Sequence, residues 1–254
     1  TGSGVPLSPG GTYTTSVLDD RIALEYRPGA STELAGATIY RYGTMSGNWS
    51  WAITTATSGW LFALPRVELC SWGLGCYTRG STTNRFGTTN RVPITPGPLA
   101  GFRLTIGCDI PSGWTCHADG SQIVRLYGGR VTLRDTATPT VTAAGGALLD
   151  GPLEPVVDLD LTASDAGAGL HRVLVTIDGK EVASRPLHDN NGRCKDHHPA
   201  SADPFEFAVR HPCVSSVAAS MAFDTTAWPS SGRLRVYLED AGRNTAVVAN
   251  RELP

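Results

Sequence analysis

The sequence predicts an all-β protein built of two β-sandwich domains, and three observations carry that reading. Thr, Val and Gly recur in short runs that alternate apolar and polar residues; Gly- and Pro-rich turn signals separate the runs; and no stretch of 12 or more residues has helical periodicity. The boundary is read at residues 130–146. Val131 and Leu133 alternate with Thr132 and Arg134 as the last strand of one sheet. Pro139 has no amide hydrogen for a ladder and Thr138 before it is pushed to an extended conformation, so the pattern breaks before Val141 opens a new strand. The expected domains are 1–134, with an extended arm over 1–11, and 135–254.

In the first domain, Thr1 to Gly11 is rich in Gly, Ser and Pro. Tyr13 to Tyr26 holds one or two strands broken at Asp19-Asp20, and Arg27-Pro28-Gly29 is a turn. Ala37 to Tyr42, Trp49 to Thr55, Trp60 to Leu69, Gly101 to Gly107 and Ser121 to Tyr127 read as further strands. Gly128-Gly129 closes a hairpin. Thr78 to Pro98 reads as one long polar loop containing the repeat Thr82-Thr-Asn-Arg85 and Thr88-Thr-Asn-Arg91. Such strands with Gly-rich turns suit a sandwich or jelly roll.

The second domain repeats the logic. Val157, Leu159, Leu161 and Ala163 alternate with Asp158, Asp160 and Thr162; Val173, Val175 and Ile177 form the next inward row, and Asp178-Gly179 turns it into a hairpin. Phe205 to Arg210, Ala218 to Phe223, Leu234 to Leu238 and Thr245 to Ala249 complete about seven strands, the number of an immunoglobulin-like sandwich. Asp165-Ala-Gly-Ala-Gly-Leu170, Asp178-Gly179 and Asp240-Ala-Gly-Arg-Asn244 together resemble the bacterial immunoglobulin-like repeat family, although Ala168 replaces the usual Ser and Gly242-Arg243 the usual Ala-Gly. The resemblance covers residues 137–250 and implies a spacer or stalk module of secreted and surface proteins. The first domain is similar, more vaguely, to concanavalin-type or laminin-G-type jelly rolls.

Composition narrows the function classes. Of 254 residues, 41% are hydrophobic and 17% charged, against the usual ~25% charged, so the chain is neither disordered nor strongly polar. The first domain has 11 Arg against 7 acidic residues and the second 10 basic against 16 acidic. Neither is basic enough for nucleic acid, and no apolar run approaches the ~20 residues that span a bilayer. The 6 cysteines fall at 70, 76, 108, 116, 194 and 213, and their grouping favours the local pairs Cys70–Cys76, Cys108–Cys116 and Cys194–Cys213. Three disulfides imply an oxidising compartment and hence a secreted, extracellular or cell-surface location. The chain shows no signal peptide, so Thr1 is expected to begin a mature or trimmed chain.

Candidate contact residues are aromatic. Trp72 and Trp114 are each enclosed in a small expected disulfide loop, where a flat ring with little entropy left to lose suits stacking on a glycan or a partner. Trp49 and Trp51, two apart, share a sheet face and either cover the core or join that contact. Asp165, Asp240 and Asn244, with Asp158 and Asp160 nearby, are weak calcium candidates, since Asp and Asn in turns commonly bond their own backbone. The His- and Asp-rich segment around Cys194 and Cys213 matches no metal-ligand spacing. There is no G-x-S-x-G, H-E-x-x-H, phosphate loop or paired-carboxylate run, and no cofactor is implied.

The expected function is therefore a non-enzymatic structural component of the cell surface or extracellular matrix. With only Lys180 and Lys195 available to guard sheet edges, the arm (Val5, Leu7, Tyr13) is expected to add to a neighbouring copy's sheet and build filaments; pairing with its own domain is the alternative. The expected partners are copies of the chain or cell-surface glycans. A glycan-binding lectin or adhesin is the rival class, and a carbohydrate-active enzyme a remote one.

Overall fold

The computed structural model describes residues 5–6, 21–29, 31–46, 49–55, 66–94, 101–108, 122–197, 199 and 205–254. The chain divides into two units, one comprising Thr1–Pro28 with Glu33–Leu133 and the other Gly29–Thr32 with Arg134–Pro254. The fold is all-β, with antiparallel sheets in each unit.

The first unit carries β1 (Val5–Pro6), β2 (Arg21–Tyr26), β3 (Thr32–Thr44), β4 (Trp49–Thr54), β5 (Arg66–Ser71), β6 (Thr78–Arg79), β7 (Arg91–Ile94), β8 (Phe102–Cys108) and β9 (Ile123–Asp135), except that Thr32 of β3 and Arg134 and Asp135 of β9 belong to the second unit. One sheet runs β1-β9-β3-β6, with β7 also on β3, and the other runs β2-β8-β4-β5. Leu34, Ile39, Trp51, Ile53, Leu104 and Val124 fill the core. Two expectations are corrected here. Gly128-Gly129 does not close a hairpin; it lies inside β9, which runs on as a single strand. A Cβ at Gly129 would stand 2.9 Å from the Thr38 carbonyl oxygen, so the glycine serves a close approach to β3 and not a reversal. Residues 78–98 are likewise not one loop, because β6 and β7 bracket a turn-rich segment organised by Asn90. The buried Asn90 amide donates to the carbonyls of Ser81 (2.8 Å), Asn84 (3.2 Å) and Arg85 (3.0 Å). The two hydrogens of one side-chain amide are thus shared among three carbonyls of a segment that no strand pairs.

The second unit carries β10 (Thr140–Gly145), α1 (Ala147–Asp150), β11 (Val156–Ser164), β12 (Leu170–Ile177), β13 (Lys180–Pro186), β14 (Ser216–Asp224), β15 (Gly232–Asp240) and β16 (Thr245–Leu253). Its sheets are β10-β11-β14 and β13-β12-β15-β16. Strict alternation along β11 buries Val157, Leu159, Leu161 and Ala163 and exposes the residues between them. Val173, Val175 and Ile177 face them from β12, with Leu234, Val236 and Leu238 from β15. Asp178 (φ 50°) and Gly179 (φ 79°) make the tight turn between β12 and β13, both with positive φ as a type I′ turn requires. Phe205 to Arg210, expected as a strand, is not one. Phe205 and Phe207 instead pack edge-on against His171, at ring distances of 4.6 and 5.9 Å. The Cys194–Cys213 disulfide ties the segments on either side of them.

Candidate functional site

The expected site residues separate into groups. Trp51 is not available to a ligand: it is fully buried on β4, between β8 and β5. Its ring lies over Gly43, where any Cβ would collide with the indole, and 5.3 Å from the Arg41 guanidinium. Trp49 is half-buried against the same core. Of the two roles open to this pair, Trp51 takes core packing, and Trp49 packs against the same core while keeping part of its surface exposed. Trp72 begins a short 3-10 turn, Trp72–Leu74, inside the ring closed by Cys70–Cys76. That ring presents Leu74 at 68% exposure, and Tyr77 beside it is 53% exposed. Trp114 and Cys116 lie outside the described residues, and so does the pair Cys108–Cys116. In the arm, Val5 and Pro6 pair antiparallel with Leu126 and Arg125 of β9 in the same chain, the alternative to pairing with a neighbouring copy, while Leu7 and Tyr13 lie outside the described residues.

The most organised polar cluster is in the second unit. Asp135 ends β9, Asp165 opens the turn between β11 and β12, and Asp240 ends β15 at the turn into β16. All three are buried, and one oxygen from each lies within 4.8 Å of the others. Two Asp-Ala-Gly tripeptides, Asp165-Ala-Gly167 and Asp240-Ala-Gly242, frame it. A Cβ at Gly167 would collide with both Asp135 carboxylate oxygens, and one at Gly242 would collide with the Asp135 Cβ. The glycines thus form the slot that admits Asp135.

Backbone amides orient each carboxylate. Ala137 N–H donates to Asp135 Oδ1 (2.9 Å) and Ala168 N–H to Oδ2. Gly167 and Gly169 both donate to Asp165 Oδ2 (2.9 and 2.8 Å). Asn244 donates its backbone N–H to Asp240 Oδ1 (2.8 Å) and its side-chain amide to Oδ2 (2.9 Å). The second hydrogen of that amide reaches the Asp135 carbonyl oxygen. Both its partners are pure acceptors, so Asn244 faces the cluster with nitrogen. It braces Asp240 and is not the oxygen ligand foreseen for it. Asp158 is also outside the cluster: it is exposed on β11 and accepts from the Ala147 amide (3.0 Å) at the start of α1. Asp160 is exposed on the same strand.

The electrostatics are those of crowded anions. Burial pushes the Asp240 carboxyl up to about 6, and the charges of Asp135 and Asp165 push the same way against the Asn244 hydrogen bonds. Burial, and then the Asp135 charge, also raises Asp165. Sequence reasoning found two of the three carboxylates and missed Asp135, which reads as part of the joint between domains. The usable signal was the doubled Asp-Ala-Gly, whose glycines only make sense if something occupies the space of their missing side chains.

The fold and this cluster define an all-β sandwich protein with a carboxylate-lined turn cluster. No family model matches the chain, and no curated protein matches it. Among solved structures it is similar to a GH2 beta-galacturonidase from Eisenbergiella tayi, with 10% identity, a TM-score of 0.20, and coverage of 92% of this chain and 34% of the other. It is also similar to the Ruminococcus gnavus beta-glucuronidase, with 9% identity, a TM-score of 0.19, and coverage of 91% and 34%. The chain thus spans about a third of the length of these solved chains. At such scores the likeness carries no argument about function.

Proposed function

We propose that the protein is a secreted, non-enzymatic structural component of the cell surface or extracellular matrix, whose copies join through the N-terminal arm. The observation that carries the reading is the place of Val5–Pro6: a two-residue strand added at the edge of the sheet, antiparallel to β9. The ladder it makes with Leu126 and Arg125 is the one a neighbouring copy's arm would make, so exchange between chains sacrifices no backbone hydrogen bond. An exchange that does not close on itself propagates as a filament. The second unit suits a spacer: its three- and four-stranded antiparallel sheets form a β-sandwich, which supports the immunoglobulin-like reading of its sequence. The Cys70–Cys76 and Cys194–Cys213 disulfides support a secreted location. Deleting residues 1–11 is the test. Polymers seen by electron microscopy and light scattering should disappear while the shortened chain still melts cooperatively. An intact chain that stays monomeric at high concentration would overturn the reading.

One observation favours a second reading. The Cys70–Cys76 ring holds Leu74 out to solvent next to Tyr77, the presentation expected of a rigid contact loop on a lectin or adhesin. Trp72→Ala or Tyr77→Ala should then weaken binding on a glycan array, and an array on which the unmodified protein binds nothing removes this reading.

A further inference from the structure

We propose that β14, the edge strand Ser216–Asp224 of the second unit, is a self-association surface that pairs antiparallel with β14 of a second copy about a two-fold axis at Ser220. Among the described residues β14 pairs with β11 alone, so its other side presents a row of unpaired backbone donors and acceptors. The ladder with β11 keeps one register over all 9 residues of β14, which leaves that row regular along its whole length.

The other strand edges of this unit carry the features that discourage strand addition: charge, proline, bulges or short length. β13 opens on Lys180 and Glu181, adds Arg185 and ends at Pro186, and its ladder with β12 slips between Val175 and Thr176. β16 carries Arg251 and Glu252, and its ladder with β15 slips between Val236 and Tyr237. β10 follows Pro139, has only 6 residues, and shifts register against β11 between Val141 and Ala143. On that side α1 also packs on β11 and β16. β14 has none of these: no Pro or Gly, no bulge, and no charge before Asp224 at its end. A bare edge beside three guarded ones is accounted for by a partner that covers it.

The strand's own pattern selects the occupant, because β14 turned end for end about Ser220 matches itself. On the inward face Val217 meets Phe223 of the second copy and Ala219 meets Met221, so apolar residues oppose apolar residues. Val217 and Met221 are only partly buried against the core of their own sandwich, and the second copy's row extends that core over them. On the exposed face Ala218 meets Ala222 and Ser220 meets Ser220, while the single charge, Asp224, meets Ser216, so no like charges are opposed. A neighbouring copy's arm is the poorer occupant. Pro6 and Pro9 lack the amide hydrogens a ladder of this length needs. The self-pairing is isologous and closes at two copies, joining two three-stranded sheets into one. It uses no residue of the arm, so it stands apart from the arm-mediated assembly proposed above.

The test is sedimentation velocity on the full chain and on the chain lacking residues 1–11, at concentrations up to about 1 mM, the weak end of specific association. The shortened chain should show a monomer in reversible equilibrium with a dimer and nothing larger. The full chain should keep that dimerisation step whether or not it also polymerises through the arm. Ser220→Lys sits on the exposed face and sets two like charges opposite each other at the axis. It should weaken the dimer at least about tenfold and leave the melting temperature of the monomer unchanged. Ser220→Glu should do the same, and an equal mixture of the two variants should dimerise again, which a folding defect could not produce. If Ser220→Lys does not fold, Ala218→Lys combined with Ala222→Lys opposes like charges in the same register. A shortened chain that is monomeric throughout, a dimer undiminished in the folded lysine variant, or a mixture that stays monomeric overturns the proposal.

Discussion

Arg41 occupies an inward position of β3 at 4% exposure, where alternation alone would place an apolar residue. Its guanidinium grips Glu68 of β5 through two hydrogen bonds, one of them 2.6 Å from Nε to Oε2, and donates to the Thr89 carbonyl at 3.1 Å. Glu68→Gln leaves that cation buried and unpaired, and should cost about 3 kcal/mol in denaturant unfolding, near the low end for a broken buried pair because Glu68 keeps some solvent contact. Adding Arg41→Met should recover part of the loss. His171 gives the pH counterpart. Burial, then the neighbouring Arg172 and Arg243 charges, lower its pKa to about 4, with Asp196 opposing. As pH falls from the unfolded value of 6.5 toward 4, the unfolded chain takes up a proton that the folded chain refuses. This group's contribution therefore makes stability decline through that window as pH falls and level off below it. Because the raised Asp240 carboxyl contributes with the opposite sign over much of this window, the readout is the difference between the unmodified chain and His171→Phe, which across pH 4–7 should show the His171 slope.

The turns depend on glycines whose reason is not visible in their own segment. Gly167→Ala drives a methyl group into the Asp135 carboxylate, and should lower stability by about 1–3 kcal/mol, the range for overpacking, as read from the urea midpoint of the unfolding curve. Gly169 combines a φ of 94° with close contact to the Cys213 carbonyl. A side chain there meets backbone and cannot be relieved by a rotamer change. By contrast, a Cβ at Gly179 of the β12–β13 turn meets nothing within 4 Å, so its value is conformational alone.

The second unit holds a complete core and two complete sheets. A fragment of residues 134–254 should accordingly fold alone with a single calorimetric transition. It lacks Gly29–Thr32, where the Ser31 carbonyl accepts from the Thr136 backbone and hydroxyl, both at 2.9 Å. Losing these two bonds to water should lower its stability by about 1–3 kcal/mol. A fragment without a cooperative transition would contradict the prediction.

Alternation and turn chemistry determined the all-β class by themselves. The inward row of β11 and the Asp178-Gly179 turn were legible because each depends on residues within a few positions of one another. Two of the local cysteine pairs were legible for the same reason. What depends on partners far along the chain was decided by the tertiary structure. A glycine pair reads as a turn from sequence, yet β9 runs straight through it, because β3 approaches too closely for a Cβ at Gly129. Trp51 reads equally as contact or core until β8 and β5 close over it. Asp135 reads as a joint residue until turns some 30 and 105 positions further on meet around it, as Ala168 and Asn244 show by bonding to it. Periodicity records which way a side chain points, whereas a binding site depends on what stands opposite, and only the folded chain sets that.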